Sequence, residues 1–106
     1  MKIGINGINI RDEKKKILNK LVDLLEKKNI YVFFSEDLSK CFSNNIIPVY
    51  NNKNLSKFDF IISFGGDGTL LNTITHVGSS NTKILGVNVG KLGFLSYDVS
   101  DVFDKI

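Results

Sequence analysis

The stretch that decides the fold is residues 58–71, which reads FDFIISFGGDGTLL. Its first part, residues 58–64, is short, is rich in aromatic and β-branched side chains and ends at a glycine pair, which predicts a buried strand. Thr69 has the side chain of a helix N-cap, so a helix is predicted to follow. The apolar face of that helix is predicted to carry Leu70, Leu71, Ile74 and Val77.

A strand that leads through glycines into a helix favours the binding of an anion. The first N–H groups of a helix have no partner within the helix, and the helix dipole favours negative charge there. Glycines allow a phosphate to approach the backbone closely because they carry no Cβ. Four residues are therefore predicted to form a loop that binds nucleotide phosphates: Gly65, Gly66, Gly68 and Thr69.

Asp67 is the unusual member of this loop. A carboxylate beside phosphates is electrostatically unfavourable unless it accepts a proton from an attacking hydroxyl or holds a magnesium ion. The alternative is a tight turn in which the Asp67 side chain only bonds neighbouring N–H groups. The loop matches neither the Walker A pattern nor the Gly-x-Gly-x-x-Gly pattern of dinucleotide-binding proteins. This stretch alone leaves both interpretations open.

A second motif follows the next apolar run, residues 83–89, which is predicted to be a strand. Residues 90–95 read GKLGFL. The glycine loop combined with the segment from Asn88 to Leu95 resembles the N-terminal half of the NAD kinase family. Diacylglycerol kinases, sphingosine kinases and phosphofructokinases share the first motif but differ at the second.

The resemblance implies roles for individual residues. Asp67 matches the acidic residue that serves as general base on the 2′-hydroxyl of the adenosine ribose in NAD. Gly68 matches a position that binds NAD, and Phe94 matches an aromatic position that lines the adenine pocket. Three further residues are expected to shape the second loop: Asn88, Gly90 and Gly93. The implied reaction transfers a phosphoryl group from ATP to NAD, with Mg²⁺ or another divalent metal as cofactor, and no residue is assigned as a metal ligand.

The rest of the chain alternates between strand and helix patterns. Strands are predicted at residues 1–7 and 30–34 and a short one at 46–49, and residues 12–28 have the apolar periodicity of an amphipathic helix. This order predicts an α/β fold with a mainly parallel sheet and helices on both faces. The resemblance implies the same Rossmann-like fold, of the phosphofructokinase and NAD kinase N-terminal type. Both motif loops follow strands, so they are expected to face one crevice at the carboxyl ends of the strands.

Length and composition limit the domain organisation and the partners. The chain has 106 residues, enough for one core, and the resemblance implies that residues 1–106 are an N-terminal domain that lacks the β-rich C-terminal domain and is inactive alone. The single cysteine and the lack of a long apolar run favour the cytoplasm and no membrane partner. The net charge of +3 is mild, and lysines 14–16 are interpreted as a solvated helix face rather than a nucleic-acid site.

Two alternatives to the kinase remain open. One is a non-catalytic nucleotide-binding module, which would gain nothing from Asp67, and the other is a lipid kinase of the diacylglycerol type, against which the segment from Asn88 to Leu95 argues. The full-length kinase is expected to be a homo-oligomer. His76 is predicted to be a surface residue or a helix-face residue without a role in the site.

Overall fold

The computed structural model describes residues 1–43, 46–78, 80 and 82–88, with the side chains of Asn52, Asn54, Asp67 and Asn88 excepted. Within these residues the chain forms a sheet of five strands in the order β3-β2-β1-β4-β5, and every neighbouring pair is parallel. The strands are β1 (Lys2–Asn6), β2 (Tyr31–Ser35), β3 (Val49–Tyr50), β4 (Phe60–Gly65) and β5 (Lys83–Asn88). The helices are α1 (Glu13–Lys27), α2 (Glu36–Ser39), a 3₁₀ helix (Asn52–Lys57) and α3 (Asp67–Val77).

Helices cover both faces of the sheet, because its strands are apolar on both sides. Neighbouring residues of a strand point to opposite faces, and Ile62 belongs to the core under α1 while Ile61 belongs to a second core under α3. The first core contains the buried stripe of α1, which includes Leu18, Leu21 and Leu25. The predicted α/β fold with a mainly parallel sheet and helices on both faces is confirmed.

Most predicted elements are present with shifted ends. The helix predicted at 12–28 is α1 (Glu13–Lys27), and the short strand predicted at 46–49 is β3 (Val49–Tyr50). β4 begins two residues later than predicted because Phe58 closes the 3₁₀ helix, with its N–H donating to the Leu55 carbonyl at 3.1 Å.

The predicted start of α3 is wrong. The helix begins at Asp67 and its N-cap is Gly66, so Thr69 lies in the first turn and does not cap it. Gly66 is extended, with φ −117° and ψ −162°, and its carbonyl accepts the Leu70 N–H at 3.1 Å. The backbone can therefore enter the helix at Gly66, three residues before Thr69.

The predicted apolar face of α3 is also partly wrong. Leu71 and Ile74 are 68% and 50% exposed, whereas Thr73 is fully buried and Val77 is buried. The helix is rotated relative to its predicted orientation, because the polar residue Thr73 faces the sheet and accepts a hydrogen bond from Asn6 of β1. A count of apolar residues cannot detect that contact.

Candidate functional site

The site lies where the order of the strands changes direction. From β1 the chain continues through α1 on one face of the sheet, and from the neighbouring strand β4 it continues through α3 on the other face. The two strand ends lie close together, since a Cβ built on Gly7 would be 3.3 Å from the carbonyl oxygen of Phe64. In sheets of this type, ligands bind in the crevice beyond the carboxyl ends at this point.

The glycine loop and the start of α3 lie at this end of the sheet, directly after β4. The first helical hydrogen bond of α3 runs from the Leu70 N–H to the Gly66 carbonyl, and no described side chain caps the helix. The N–H groups of Asp67, Gly68 and Thr69 precede that bond, so they have no partner within the helix. The N-terminus of an 11-residue helix therefore presents unpaired donors and a positive partial charge, which suits a phosphate.

The three glycines of the loop have different surroundings. Gly65 is buried with φ +154°, and a Cβ built on it would lie 2.6 Å from Thr69 Oγ1. A Cβ on Gly66 or on Gly68 would meet no atom within 4 Å. Gly65 is thus required by packing between β4 and α3, whereas Gly66 and Gly68 border the open space in which a ligand would lie.

A buried polar network lies directly behind the loop. Asn6, at the end of β1 and 1% exposed, donates both hydrogens of its side-chain amide to α3, to Asn72 Oδ1 and to Thr73 Oγ1, each at 2.9 Å. Thr73 Oγ1 donates in turn to the Thr69 carbonyl in the first turn, at 2.8 Å. The sequence analysis did not identify Asn6 or Thr73. The signal available was a polar residue at the end of an otherwise apolar strand.

Not all of the predicted site residues can be located. Asp67 is the first residue of α3, next to the N-cap Gly66. Asn88 ends β5 and is paired with Gly65, so the two motif strands end side by side, as expected for loops that share a crevice. Gly90, Gly93 and Phe94 lie outside the described residues.

His76 lies in the last turn of α3, in agreement with its prediction as a surface or helix-face residue. Its ring is half-buried and packs edge-on against Tyr50, with ring centroids 5.5 Å apart. Burial lowers the pKa of His76, although the charges of Asp37 and Glu36 act in the opposite direction. Burial raises the pKa of Tyr50 above its ordinary value, and the charge of Asp37 adds to this effect.

A cavity of about 500 Å³ adjoins this pair at the carboxyl ends of β2 and β3, and Glu36, Asp37 and Lys53 also line it. Tyr50 Oη and His76 Nε2 are buried and have no hydrogen-bond partner among the described residues. The cavity does not include any residue of the glycine loop. We therefore treat it as separate from the candidate site.

The part of the chain that the structure describes lacks two further features. It contains no group of three or more His, Cys, Asp and Glu side chains able to hold a metal ion. None of its helices has the length and apolar character needed to cross a membrane.

Comparison with known proteins agrees with this geometry. Residues 3–104 match the family model of the ATP-NAD kinase N-terminal domain. The NAD kinase of Christiangramia forsetii is 34% identical over 103 residues, which cover 91% of this chain and 35% of that protein. The NAD kinase of Clostridium kluyveri is 39% identical over 94 residues, which cover 89% of this chain and 31% of that protein.

A third relative, the NAD kinase of Caldicellulosiruptor saccharolyticus, is 33% identical over 102 residues, which cover 95% of this chain and 34% of that protein. The chain thus spans about one third of the length of the curated relatives it matches. The family model extends over nearly the whole chain and includes the glycine loop, the start of α3 and the second motif. The chain therefore belongs to the NAD kinase family, as its ATP-NAD kinase N-terminal domain.

Proposed function

We propose that this chain is the nucleotide-binding part of an NAD kinase, which transfers a phosphoryl group from ATP to the 2′-hydroxyl of the adenosine ribose of NAD and so makes NADP. The observation that carries the proposal is the position of the Gly65–Thr69 loop in a chain of this family. The loop opens α3 at the carboxyl end of β4, beside β1, where α/β sheets bind ligands.

The loop contributes to this reaction by positioning and by neutralising charge. The N–H groups of Asp67, Gly68 and Thr69 are unpaired within α3, and the open space beside Gly66 and Gly68 leaves room for a phosphate. Phosphoryl transfer needs little covalent chemistry from the protein, so fixed donors aimed at the phosphate oxygens supply most of the acceleration. We assign these N–H groups to the phosphates of the bound nucleotide.

Asp67 is assigned as the general base on the ribose hydroxyl. A carboxylate next to phosphates is unfavourable unless it takes part in the reaction, and a base on the nucleophile contributes about 10²–10⁴-fold to the rate. The hydroxyl oxygen forms a bond to the γ-phosphorus as its proton passes to Asp67, and ADP leaves.

Magnesium is proposed to enter as Mg-ATP, the substrate. Mg²⁺ is commonly held by one or two carboxylates together with substrate phosphates rather than by a cage of protein ligands. The described residues fit this mode, because the start of α3 carries N–H groups that have no partner within the helix and could bind the phosphates of Mg-ATP.

The remainder of the site is assigned to the part of the family that this chain does not match. The curated relatives are about three times as long as the matched region, so we propose that residues 1–106 form the N-terminal domain and that a further domain completes the NAD site. From membership of the family we also propose that the whole enzyme is a homo-oligomer in the cytoplasm.

The test is NADP formation from NAD and Mg-ATP by the whole natural protein. Asp67→Asn is expected to lower kcat by about a hundredfold or more, because it removes the base and keeps the shape of the side chain. Asp23→Asn, on the exposed side of α1, is the matched control and should leave kcat unchanged. Failure of the wild-type protein to form NADP with either ATP or inorganic polyphosphate would overturn the proposal.

A further inference from the structure

We propose that Asn6 and Thr73 are positioning residues that hold the glycine loop in its reactive geometry. The inference rests on the proposed function, because the geometry in question is that of the phosphate-binding N–H groups. Neither residue borders the open space beside the loop, so each would act through the loop backbone and without touching substrate.

The network begins at the side-chain amide of Asn6, which donates both of its hydrogens to α3. Asn6 is 1% exposed, and its two amide hydrogens are donated to Asn72 Oδ1 and Thr73 Oγ1, each at 2.9 Å. These acceptors lie 66 and 67 residues further along the chain, on the helix that the loop opens. The end of β1 is thereby joined to α3 by two directional contacts, which fix rotation as well as distance.

The network continues through the hydroxyl of Thr73, a residue that is fully buried. It accepts from Asn6 and donates to the Thr69 carbonyl at 2.8 Å. One hydroxyl therefore links the central strand to the first turn of the helix, and hydrogen bonds in such a chain polarise and strengthen one another. Without it, the buried Asn6 amide loses one of its two acceptors, and the Thr69 carbonyl in the first turn loses a hydrogen bond.

The first turn of α3 in turn contacts the glycine loop. Thr69 packs so closely on Gly65 that a Cβ there would lie 2.6 Å from Thr69 Oγ1. A change at Thr73 is thus transmitted to Thr69 and from there to Gly65 and the free N–H groups. Small displacements of positioning groups lower reaction rates steeply, so this network belongs to the reaction as well as to the fold.

The network explains why polar groups are buried at this place. Ile3 and Ile5 of β1 belong to the apolar core, and a Leu at residue 6 would bury more apolar surface than Asn6 does. Two amide donors add a directional constraint on the rotation of α3 about its own axis to the one that apolar packing provides. The rotation decides where the N–H groups of the first turn point.

The experiment compares Thr73→Val with Thr73→Ser in the whole natural protein. Val keeps the shape of the side chain and removes the hydroxyl, whereas Ser keeps the hydroxyl. We expect Thr73→Val to lower kcat for NADP formation by about tenfold to a hundredfold per folded molecule, and Thr73→Ser to remain close to wild type. Asn6→Leu is expected to resemble Thr73→Val.

Thr82→Val is the matched control. The Thr82 hydroxyl also makes a tertiary hydrogen bond, donating to the Leu55 carbonyl at 2.9 Å, but it precedes β5 at the amino ends of the strands, away from the glycine loop. Its loss should affect stability and leave kcat unchanged. Equal kcat values for Thr73→Val and Thr73→Ser, in a protein whose wild type makes NADP, would overturn the inference.

Hydrogen exchange separates this inference from the proposed function. The Leu70 N–H donates to the Gly66 carbonyl at 3.1 Å and reports directly on the first turn of α3. Its exchange should be faster in Thr73→Val than in Thr73→Ser, with the amides of α1 unchanged. If the wild type forms no NADP but exchange at Leu70 is still faster in Thr73→Val than in Thr73→Ser, the proposed kinase function is refuted and the positioning network is supported. Equal exchange rates in the two variants would refute the network.

Discussion

The contact between Gly65 and Thr69 makes a quantitative prediction for Gly65→Ala. The new Cβ would lie 2.6 Å from Thr69 Oγ1 and 3.0 Å from Thr69 Cβ. Non-bonded carbon contacts are comfortable at about 3.5–4.0 Å, so β4 and α3 must separate or Thr69 must leave its rotamer. Overpacking of this kind costs about 1–3 kcal/mol.

The backbone adds a second cost. Gly65 has φ +154°, a conformation that residues with a Cβ rarely adopt, and such strain costs about 1–3 kcal/mol. Replacing glycine also restricts the unfolded chain, which returns about 0.4–1 kcal/mol. The net expectation is a loss of about 1–6 kcal/mol in the free energy of unfolding.

Urea denaturation followed by circular dichroism measures this loss as a lower midpoint at unchanged slope. Gly68→Ala is the matched control, because its Cβ meets nothing within 4 Å and alanine favours a helix interior by up to about 1 kcal/mol. Thr69→Ala combined with Gly65→Ala should recover part of the loss, since it removes the atom in closest conflict. A Gly65→Ala protein as stable as the wild type, or a double variant with no recovery, would refute the steric reasoning.

Three further predictions concern stability away from the loop. Leu25→Ala should lower the free energy of unfolding by about 2–5 kcal/mol, because Leu25 is fully buried. Leu71→Ala should change it by less than about 0.5 kcal/mol, because the Leu71 side chain is 68% exposed. Urea denaturation measures both. Gly4→Ala should lower the thermal midpoint, because its Cβ would lie 2.9 Å from Tyr50 Cε2 and overpacking costs about 1–3 kcal/mol. The pKa of His76 is below its ordinary value of 6.5, so the unfolded chain binds more protons in acid and stability falls as the pH drops below about 6.5. This part of the pH dependence should be absent in His76→Leu, and identical pH profiles of the two proteins would contradict it.

Local patterns predicted the elements of this fold well. The amphipathic repeat of α1 and the apolar runs of β4 and β5 are properties of adjacent residues, so they can be recognised without knowledge of the rest of the chain. The same holds for the glycine loop, since the need for missing side chains beside a helix start is visible in the sequence. The roles assigned to Gly90, Gly93 and Phe94 remain predictions, because these residues lie outside the described part of the chain.

The errors have one physical cause, which is contact between distant residues. The sequence placed Thr69 at the N-cap and turned Leu71 and Ile74 inward, because hydroxyls cap helices and apolar residues prefer cores. In the fold Gly66 supplies the cap position, and Thr73 takes the inward place through its bond to Asn6.

The sequence by itself determined that this chain is an α/β domain with a glycine loop between a strand and a helix and an acidic residue within that loop. These properties follow from periodicity, from β-branched runs and from the conformational freedom of glycine, all of which act over a few residues. Only the tertiary structure decided that β1 lies beside β4, that Gly65 packs on Thr69 and that the Asn6 amide bonds to α3. Strand order and buried hydrogen bonds join residues far apart in the chain, and their energies depend on packing that no local pattern records.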